Sequence, residues 1–413
     1  MEQSSSIVNA TVIDVDGGLA RRGMSINVCG GRIESLTNGS SPAAGVHSRV
    51  IDACGAYVCP GLIDGHVHLF LDAGPSPRAA FLETDDAAKL KTAARNAALA
   101  LNAGITTVRD CGGPAALLFG FQQAVERGEY PGPRILAAGS PLTRPAGHCH
   151  FFGIEVSTPA EVRRAVDSQA RQGAALVKLI ASGGGLTPGT RPSEADLAPE
   201  IMREAVTAAH ANGLHVSAHC HAAESIVRAL DTGVDIIEHA GFVCPDGSTR
   251  FDPQIAARMR DNGVVVSPTA ISGIRIAQTI RLSGSQNGDD HAAVERLESR
   301  KQHTARFREA GVRILAGTDC GVANTPFDSL IDEMLEYVEA GMSAPQALRC
   351  ATSDSARYLN LPLLGRIESG CLADLLLLAG NPLEDLGHLR NPLLVMKEGA
   401  IVCDFRPAPT NVS

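Results

Sequence analysis

The chain of 413 residues has no apolar run long enough to cross a bilayer as a helix, so no membrane span is expected. Its first residues, Met1 to Ala10, lack a cationic segment followed by an apolar one. A secretory signal is therefore not expected, and the cytoplasm is the expected compartment. None of the 11 cysteines forms a Cys-x-x-Cys pair, which argues against a zinc ribbon or a dithiol redox centre. An odd number of scattered thiols fits a reducing compartment. There is no basic run, and a formal net charge of −9 argues against nucleic acid or an anionic membrane surface as partner. What remains is ordinary: 44% hydrophobic and 20% charged residues describe a globular protein and exclude disordered and fibrous classes. The length allows one large core and a second, smaller unit.

Residues 61 to 68 read Gly-Leu-Ile-Asp-Gly-His-Val-His. On a strand, His66 and His68 share a face with Asp64, which is a way to hold a metal. A lone His-x-His is more often solvated or hydrogen-bonded than ligating. Four later strand-like segments add to it, each ending in a further candidate: Lys178 in Leu-Val-Lys-Leu-Ile, His219 in Ser-Ala-His, His239 in Ile-Ile-Glu-His and Asp319 in Ala-Gly-Thr-Asp. Cys111, Cys149, Cys220 and Cys320 also lie near strand ends. Cys220 and Cys320 directly follow proposed ligands, so alternation turns them to the opposite face, and inert buried thiols are the simpler reading.

Short apolar runs predict eight strands, at 57–63, 104–109, 134–138, 176–180, 215–218, 235–238, 264–267 and 312–316. Helical spacing predicts helices between them, at 87–103, 159–173, 198–212 and 222–232 among others. Alternating strands and helices imply a parallel sheet, and eight repeats fit a (β/α)8 TIM barrel whose active site lies at the C-terminal strand ends. The flanks differ, with short alternating runs at 7–15 and 24–28 and again at 373–378, 393–397 and 400–403. Each flank is too short to bury a core alone, so a small β-sandwich formed by both termini is expected. The resulting division is 1–58 and 362–413 for the sandwich and 59–361 for the barrel. The polar stretch 270–303 is expected to be a long mobile loop over the site, or else an excursion carrying a short helix.

Two divalent ions, with zinc the expected element, need nitrogen ligands, a carboxylate and an anionic bridge. His66 and His68 with Asp319 would hold one, and His219 with His239 the other. A protonated Lys178 would repel both ions, but a neutral amine can add carbon dioxide and become a carbamate, which bridges as a glutamate would. The apolar neighbours of Lys178 weigh against a surface or snorkelling lysine. A Schiff-base lysine would leave four histidines and an aspartate unexplained.

These segments resemble the amidohydrolase superfamily, and within it the binuclear subgroup of metal-dependent dipeptidases, prolidases and related amide hydrolases with a carboxylated lysine. The resemblance rests on Cys-Pro-Gly-Leu-Ile-Asp-Gly-His-Val-His, Gly-Ile-Thr-Thr-Val-Arg-Asp, Val-Lys-Leu-Ile-Ala-Ser-Gly-Gly, Ser-Ala-His-Cys-His, Ile-Ile-Glu-His and Ala-Gly-Thr-Asp. The tail Gly-Arg-Ile-Glu-Ser-Gly-Cys-Leu-Ala-Asp-Leu-Leu-Leu-Leu extends it into the C-terminal sandwich. It implies that His66, His68, Lys178, His219, His239 and Asp319 are the six ligands, and that Asp319 also accepts a proton from a metal-bridging hydroxide as it attacks. It implies a role for His148 over the scissile carbonyl oxygen, with His150 as competitor. His221 is expected either to face the substrate or to orient His219.

The reading that follows is hydrolysis of an amide bond in a dipeptide or N-acyl amino acid, a small-molecule substrate, by a homo-oligomer. Arg144 beside His148, and His221, are expected on the substrate carboxylate. Arg109 is a further candidate, or a structural residue paired with Asp110 or a loop carbonyl. Carbamates, ureas and esters stay open as substrates, and a heterocycle deaminase is the rival within the fold, although that branch generally lacks the strand-four lysine. A non-catalytic scaffold would be expected to have lost ligands.

Overall fold

The computed structural model describes residues 4–39, 49–284 and 287–406. Its centre is a ring of eight parallel strands: Leu62–Val67, Ile105–Asp110, Arg134–Ala137, Leu176–Ile180, His215–His219, Ile236–Glu238, Val265–Ser267 and Arg313–Ile314. They form two arcs, of which the longer begins with two short extra strands, Ile154–Glu155 and Leu142–Thr143. Backbone hydrogen bonds close the ring. Ala175 N donates to Ala137 O at 2.8 Å on one side, and Gly65 N to Ala316 O at 2.8 Å on the other, where Asp319 N to His66 O at 2.7 Å and His68 N to Cys320 O at 2.8 Å reinforce it. The second closure depends on glycine. A Cβ on Gly65 would lie 2.7 Å from Leu315 Cγ, and one on Gly317 would lie 2.8 Å from His66 Cβ. The Asp-Gly-His and Ala-Gly-Thr-Asp motifs therefore have glycine where the first and eighth strands touch.

The helices form from local signals. Pro159–Arg171 starts with a Thr158/Glu161 capping box and proline in its first turn, and buries Val162, Ala165, Val166 and Gln169 on one face. Burial of each such valine contributes roughly 1.5 to 3 kcal/mol. Gln169 is buried because its amide exchanges hydrogen bonds with the Ser140 backbone, at 2.6 and 3.0 Å.

Both flanks meet in one eight-stranded sheet, in which Leu375–Leu378 lies between Leu394–Lys397 and Tyr57–Pro60. An all-leucine strand is explained by its two faces. Leu375 and Leu377 enter the core of the terminal sandwich, and Leu376 and Leu378 enter the barrel core. The architecture is thus the expected barrel with a β-sandwich built from both termini. The run 57–63 is not one strand, however. Tyr57–Pro60 belongs to the sandwich sheet and Leu62–Val67 to the barrel. Gly61 turns between them, packed so closely that a Cβ would meet Thr106 Oγ1 at 2.2 Å.

The expectation of a loop at 270–303 is corrected. Two helices, Ala270–Leu282 and Gly288–Glu309, occupy it, with residues 285–286 outside the described set. The second is polar on nearly all sides, so its sequence lacks the apolar stripe that signals a helix. Among the described residues, no helix is long and apolar enough to cross a membrane.

Candidate metal centre and active site

The C-terminal strand ends converge on a cavity of about 510 Å³, lined by His66, His68, Lys178, His219, His239 and Asp319 together with His148 and His221. His68 and His239 follow the last residues of their strands, and Asp319 lies five residues beyond Ile314. Both His239 (φ 67°) and Asp319 (φ 62°) take left-handed backbone conformations. For residues with a Cβ this costs on the order of 1 to 3 kcal/mol, the kind of strain that collects at functional sites. Lys178 sits mid-strand, not at the tip as expected, and its long stem spans the difference.

Two groups of donor atoms are each gathered within 4.8 Å: His66 with His68 and Asp319, and His219 with His221 and His239. Asp319 Oδ1 lies 3.5 Å from His66 Nε2 and 3.4 Å from His68 Nε2. His239 Nε2 lies 2.9 Å from His219 Nδ1. His66, His219 and His239 resist protonation, whereas at His68 burial is outweighed by Asp319 and the ring's value is raised. Burial, with Lys178 next, brings His66 down to about 4, and burial, with its neighbouring histidines, holds His239 well below the ordinary imidazole value. Neutral imidazoles are the form that binds metals. Burial opposes the charge on Asp319, but His66 and the hydrogen bond with His68 outweigh it and keep its carboxyl low.

Lys178 Nζ is buried and has no hydrogen-bond partner among the described residues. A buried amine without a partner is costly unless something absent from the polypeptide meets it. The donor set on either side, nitrogen-rich with one carboxylate, suits divalent zinc. The residues therefore fit divalent metal, with Lys178 lining the same cavity as both donor groups.

Behind the histidines stand groups that the sequence reading passed over. Glu238 Oε2 accepts from His66 Nδ1 at 2.8 Å, and Oε1 accepts from Arg109 Nη2 at 2.5 Å and from Ser217 Oγ. Thr269 Oγ1 lies 2.7 Å from His239 Nδ1, and the Gly112 carbonyl lies 2.8 Å from His68 Nδ1. Each of these contacts occupies Nδ1 and turns the ring's Nε2 toward the neighbouring donor atoms at the cavity. Glu238 stood in the Ile-Ile-Glu-His motif, but strict alternation placed it opposite His239. The left-handed turn at His239 lets both point inward.

His148 lines the cavity, its Nδ1 has no partner, and burial lowers it to about 3, so it is a neutral donor. His150 instead holds the Gly147 carbonyl at 2.9 Å and is not part of the lining. His221 stacks on His239, with ring centres 4.6 Å apart, and meets His219 edge-on at 4.4 Å. It faces the cavity beside the second donor group. Arg144 does not reach the cavity, because Asp196 takes its Nε at 2.9 Å. Arg109 is structural, donating to the Gly65 carbonyl at 2.5 Å as well as to Glu238. The cysteines are inert as expected. Burial pushes Cys111, Cys149 and Cys220 up to about 12. Arg78, Arg296 and Arg300 also line the cavity, and the last two come from the helix at 288–309 that was read as loop.

Comparison with known proteins matches residues 57–402 to the amidohydrolase family. An uncharacterized protein of Mycobacterium tuberculosis is 30% identical over 365 residues, 87% of this chain and 88% of that one. Ochratoxinase of Aspergillus niger is 27% identical over 370 residues, 81% of this chain and 73% of that one. The crystal structure of an Xaa-Pro dipeptidase with methionine bound in its active site superposes with a TM-score of 0.87 at 29% identity, covering 97% of this chain and 99% of that one. With the family match spanning most of the chain and the strand-end histidines meeting at one cavity, this protein belongs to the amidohydrolase family and is a hydrolase.

Proposed function

We propose that the protein is a binuclear metal-dependent hydrolase that cleaves the amide bond of a dipeptide or N-acyl amino acid. The observation that carries the proposal is Lys178, whose buried amine, without a hydrogen-bond partner among the described residues, lines the same cavity as two groups of metal-binding side chains. His66, His68 and Asp319 would hold one ion and His219 with His239 the other, with His221 beside the second. In its neutral form the Lys178 amine could add carbon dioxide with loss of a proton, and such a carbamate would supply two anionic oxygens as further ligands. Bound divalent ions lower the pKa of water enough to make hydroxide available near neutral pH.

The remaining steps belong to side chains. Asp319 sits at the cavity floor with its carboxyl held low, so it is ionised and can accept the proton of the attacking water and pass it to the leaving amine. His148, neutral with an unmet nitrogen, can donate to the carbonyl oxygen as charge develops there. Apolar walls including Phe152, Leu186, Ile276 and Ile280 suit an apolar substrate side chain. The likeness to an Xaa-Pro dipeptidase and to ochratoxinase supports the amide class.

The test is a panel of dipeptides and N-acyl amino acids, run with added zinc beside carbamates, phenylureas, esters and amino-heterocycles. Turnover confined to amides next to a carboxylate is the expected result. Turnover confined to uncharged carbamates or ureas, or ammonia release from a heterocycle, would overturn the substrate class.

A further inference from the structure

The charge on the cavity wall is one-sided. Arg78, Arg296 and Arg300 line it, and Asp319 is the only carboxylate among the described lining residues. Arg296 and Arg300 stand four residues apart on the helix Gly288–Glu309, so both extend from one face, a turn apart. They are held differently. Arg300 is buried, and its Nη1 donates three long hydrogen bonds: 3.3 Å to the Thr269 carbonyl, 3.4 Å to Thr269 Oγ1 and 3.4 Å to Ser272 Oγ. Half-buried Arg296 makes no side-chain hydrogen bond or ion pair with any described residue.

Arg300 also fixes where the pair lies. Thr269 Oγ1, which it touches, is the atom that meets His239 Nδ1 at 2.7 Å. The two guanidinium groups therefore sit beside the His219 and His239 half of the site. Asp319, the one carboxylate in the described lining, is shared by Arg300 with His66 and His68, and no described acid pairs with Arg296. This mostly apolar wall therefore has a positive charge for which the described polypeptide supplies no counter-ion. The planar guanidinium fork matches a carboxylate, which it can bind through two parallel hydrogen bonds. Neither Arg144, expected there from sequence, nor Arg109, the further candidate, can serve, because Arg144 is committed to Asp196 and Arg109 to Glu238.

We infer that Arg296, backed by Arg300, receives the free carboxylate of the substrate and sets the acid specificity of this site. The inference rests on the amide-hydrolase reading and assigns its recognition element. The carboxylate lies toward the helix Gly288–Glu309, the scissile amide toward the histidines, and an apolar side chain fills the rest of the cavity.

The experiment is calorimetric titration of the zinc-loaded protein with 3-phenylpropanoate and with 3-phenylpropanol, which share a shape and are not hydrolysed. The acid should bind at least tenfold tighter than the alcohol, as expected for one charge-assisted contact in an apolar site. A carboxylate can also ligate zinc directly, so the Arg296→Gln variant decides. It should reduce the acid-to-alcohol ratio about tenfold and leave the alcohol's affinity unchanged, which also shows that the cavity is intact. Arg296→Lys should retain part of the ratio, keeping the charge but losing the fork. An unchanged ratio in Arg296→Gln, or no acid preference in the unaltered protein, overturns the inference. The amide panel, run in parallel, separates the two readings. Acid preference controlled by Arg296 without hydrolysis of any amide supports the receptor and defeats the amide-hydrolase reading. Amide hydrolysis with a ratio insensitive to Arg296 defeats the receptor alone.

Discussion

His66 Nδ1 and Glu238 Oε2 lie 2.8 Å apart at the floor of the barrel, in side chains with almost no contact with solvent. The contact sets the tautomer of His66, so that Nδ1 carries the proton and Nε2 faces Asp319. Burial alone would raise the Glu238 carboxyl, but Arg109, Lys178 and His66 together outweigh it and hold the group well below the ordinary carboxylate range. Glu238→Gln should therefore weaken zinc binding about 10- to 100-fold, the usual loss when the partner of a ligating histidine is changed. It should also lower the melting temperature, since an unpaired buried charge on Arg109 costs up to about 3 to 5 kcal/mol. Competition with a chelating dye measures the first effect and thermal unfolding the second. Unaltered zinc affinity would show that Glu238 only supports the barrel.

Metal content tests the division of the site into two halves. Protein purified without chelator should hold about two divalent ions per chain by elemental analysis. His239→Ala should lose roughly one of them, while His66→Ala should disturb the other half. Full metal content and full activity in both variants would remove the assignment.

How far these features could be read from sequence varies with their physical cause. The strand Leu176–Ile180 was legible with both its ends, because a compact apolar run with flanking breaks has no competing period. His66, His68, His219 and His239 were legible because parallel strands deliver their C-terminal ends to one place. Arg296 and Arg300 were not, since their helix has no apolar stripe and the surface they serve is a cavity. Arg144 misled for a different reason. Closeness to His148 in the chain says nothing of Asp196, which the fold brings to its guanidinium from a later loop.

Lys178 and Asp319 make separable predictions. Lys178→Ala should be nearly inactive, and short-chain carboxylic acids added with zinc should partly restore turnover by providing a substitute bridge. A mass shift of the intact protein matching one added carbon dioxide, measured under native conditions and absent from the variant, would identify the carbamate directly. Asp319→Asn should keep the fold and lose about 10² to 10⁴ in kcat, because an amide cannot accept the proton. Turnover within about threefold of the unaltered protein would assign that proton to another group.

The last prediction concerns the helix that walls the cavity. Glu333 accepts from Ala270 N at 3.0 Å and Ile271 N at 2.7 Å, holding the first turn of Ala270–Leu282 against the barrel. Burial nonetheless raises its carboxyl from 4.5 to about 8, so complete enclosure outweighs the two amide contacts. The folded state then binds this proton more tightly than the unfolded chain does. Its contribution to stability is full below pH 4.5 and is lost as pH rises through about 8. Glu333→Gln cannot titrate, so its melting temperature should fall less between pH 5 and pH 8 than that of the unaltered protein, at equal zinc saturation. At pH 5 the variant should be the less stable of the two, because one amide oxygen cannot replace both acceptors. Identical pH dependence in the two proteins would show that Glu333 stays ionised throughout, with the helix N-terminus overcoming the cost of burial.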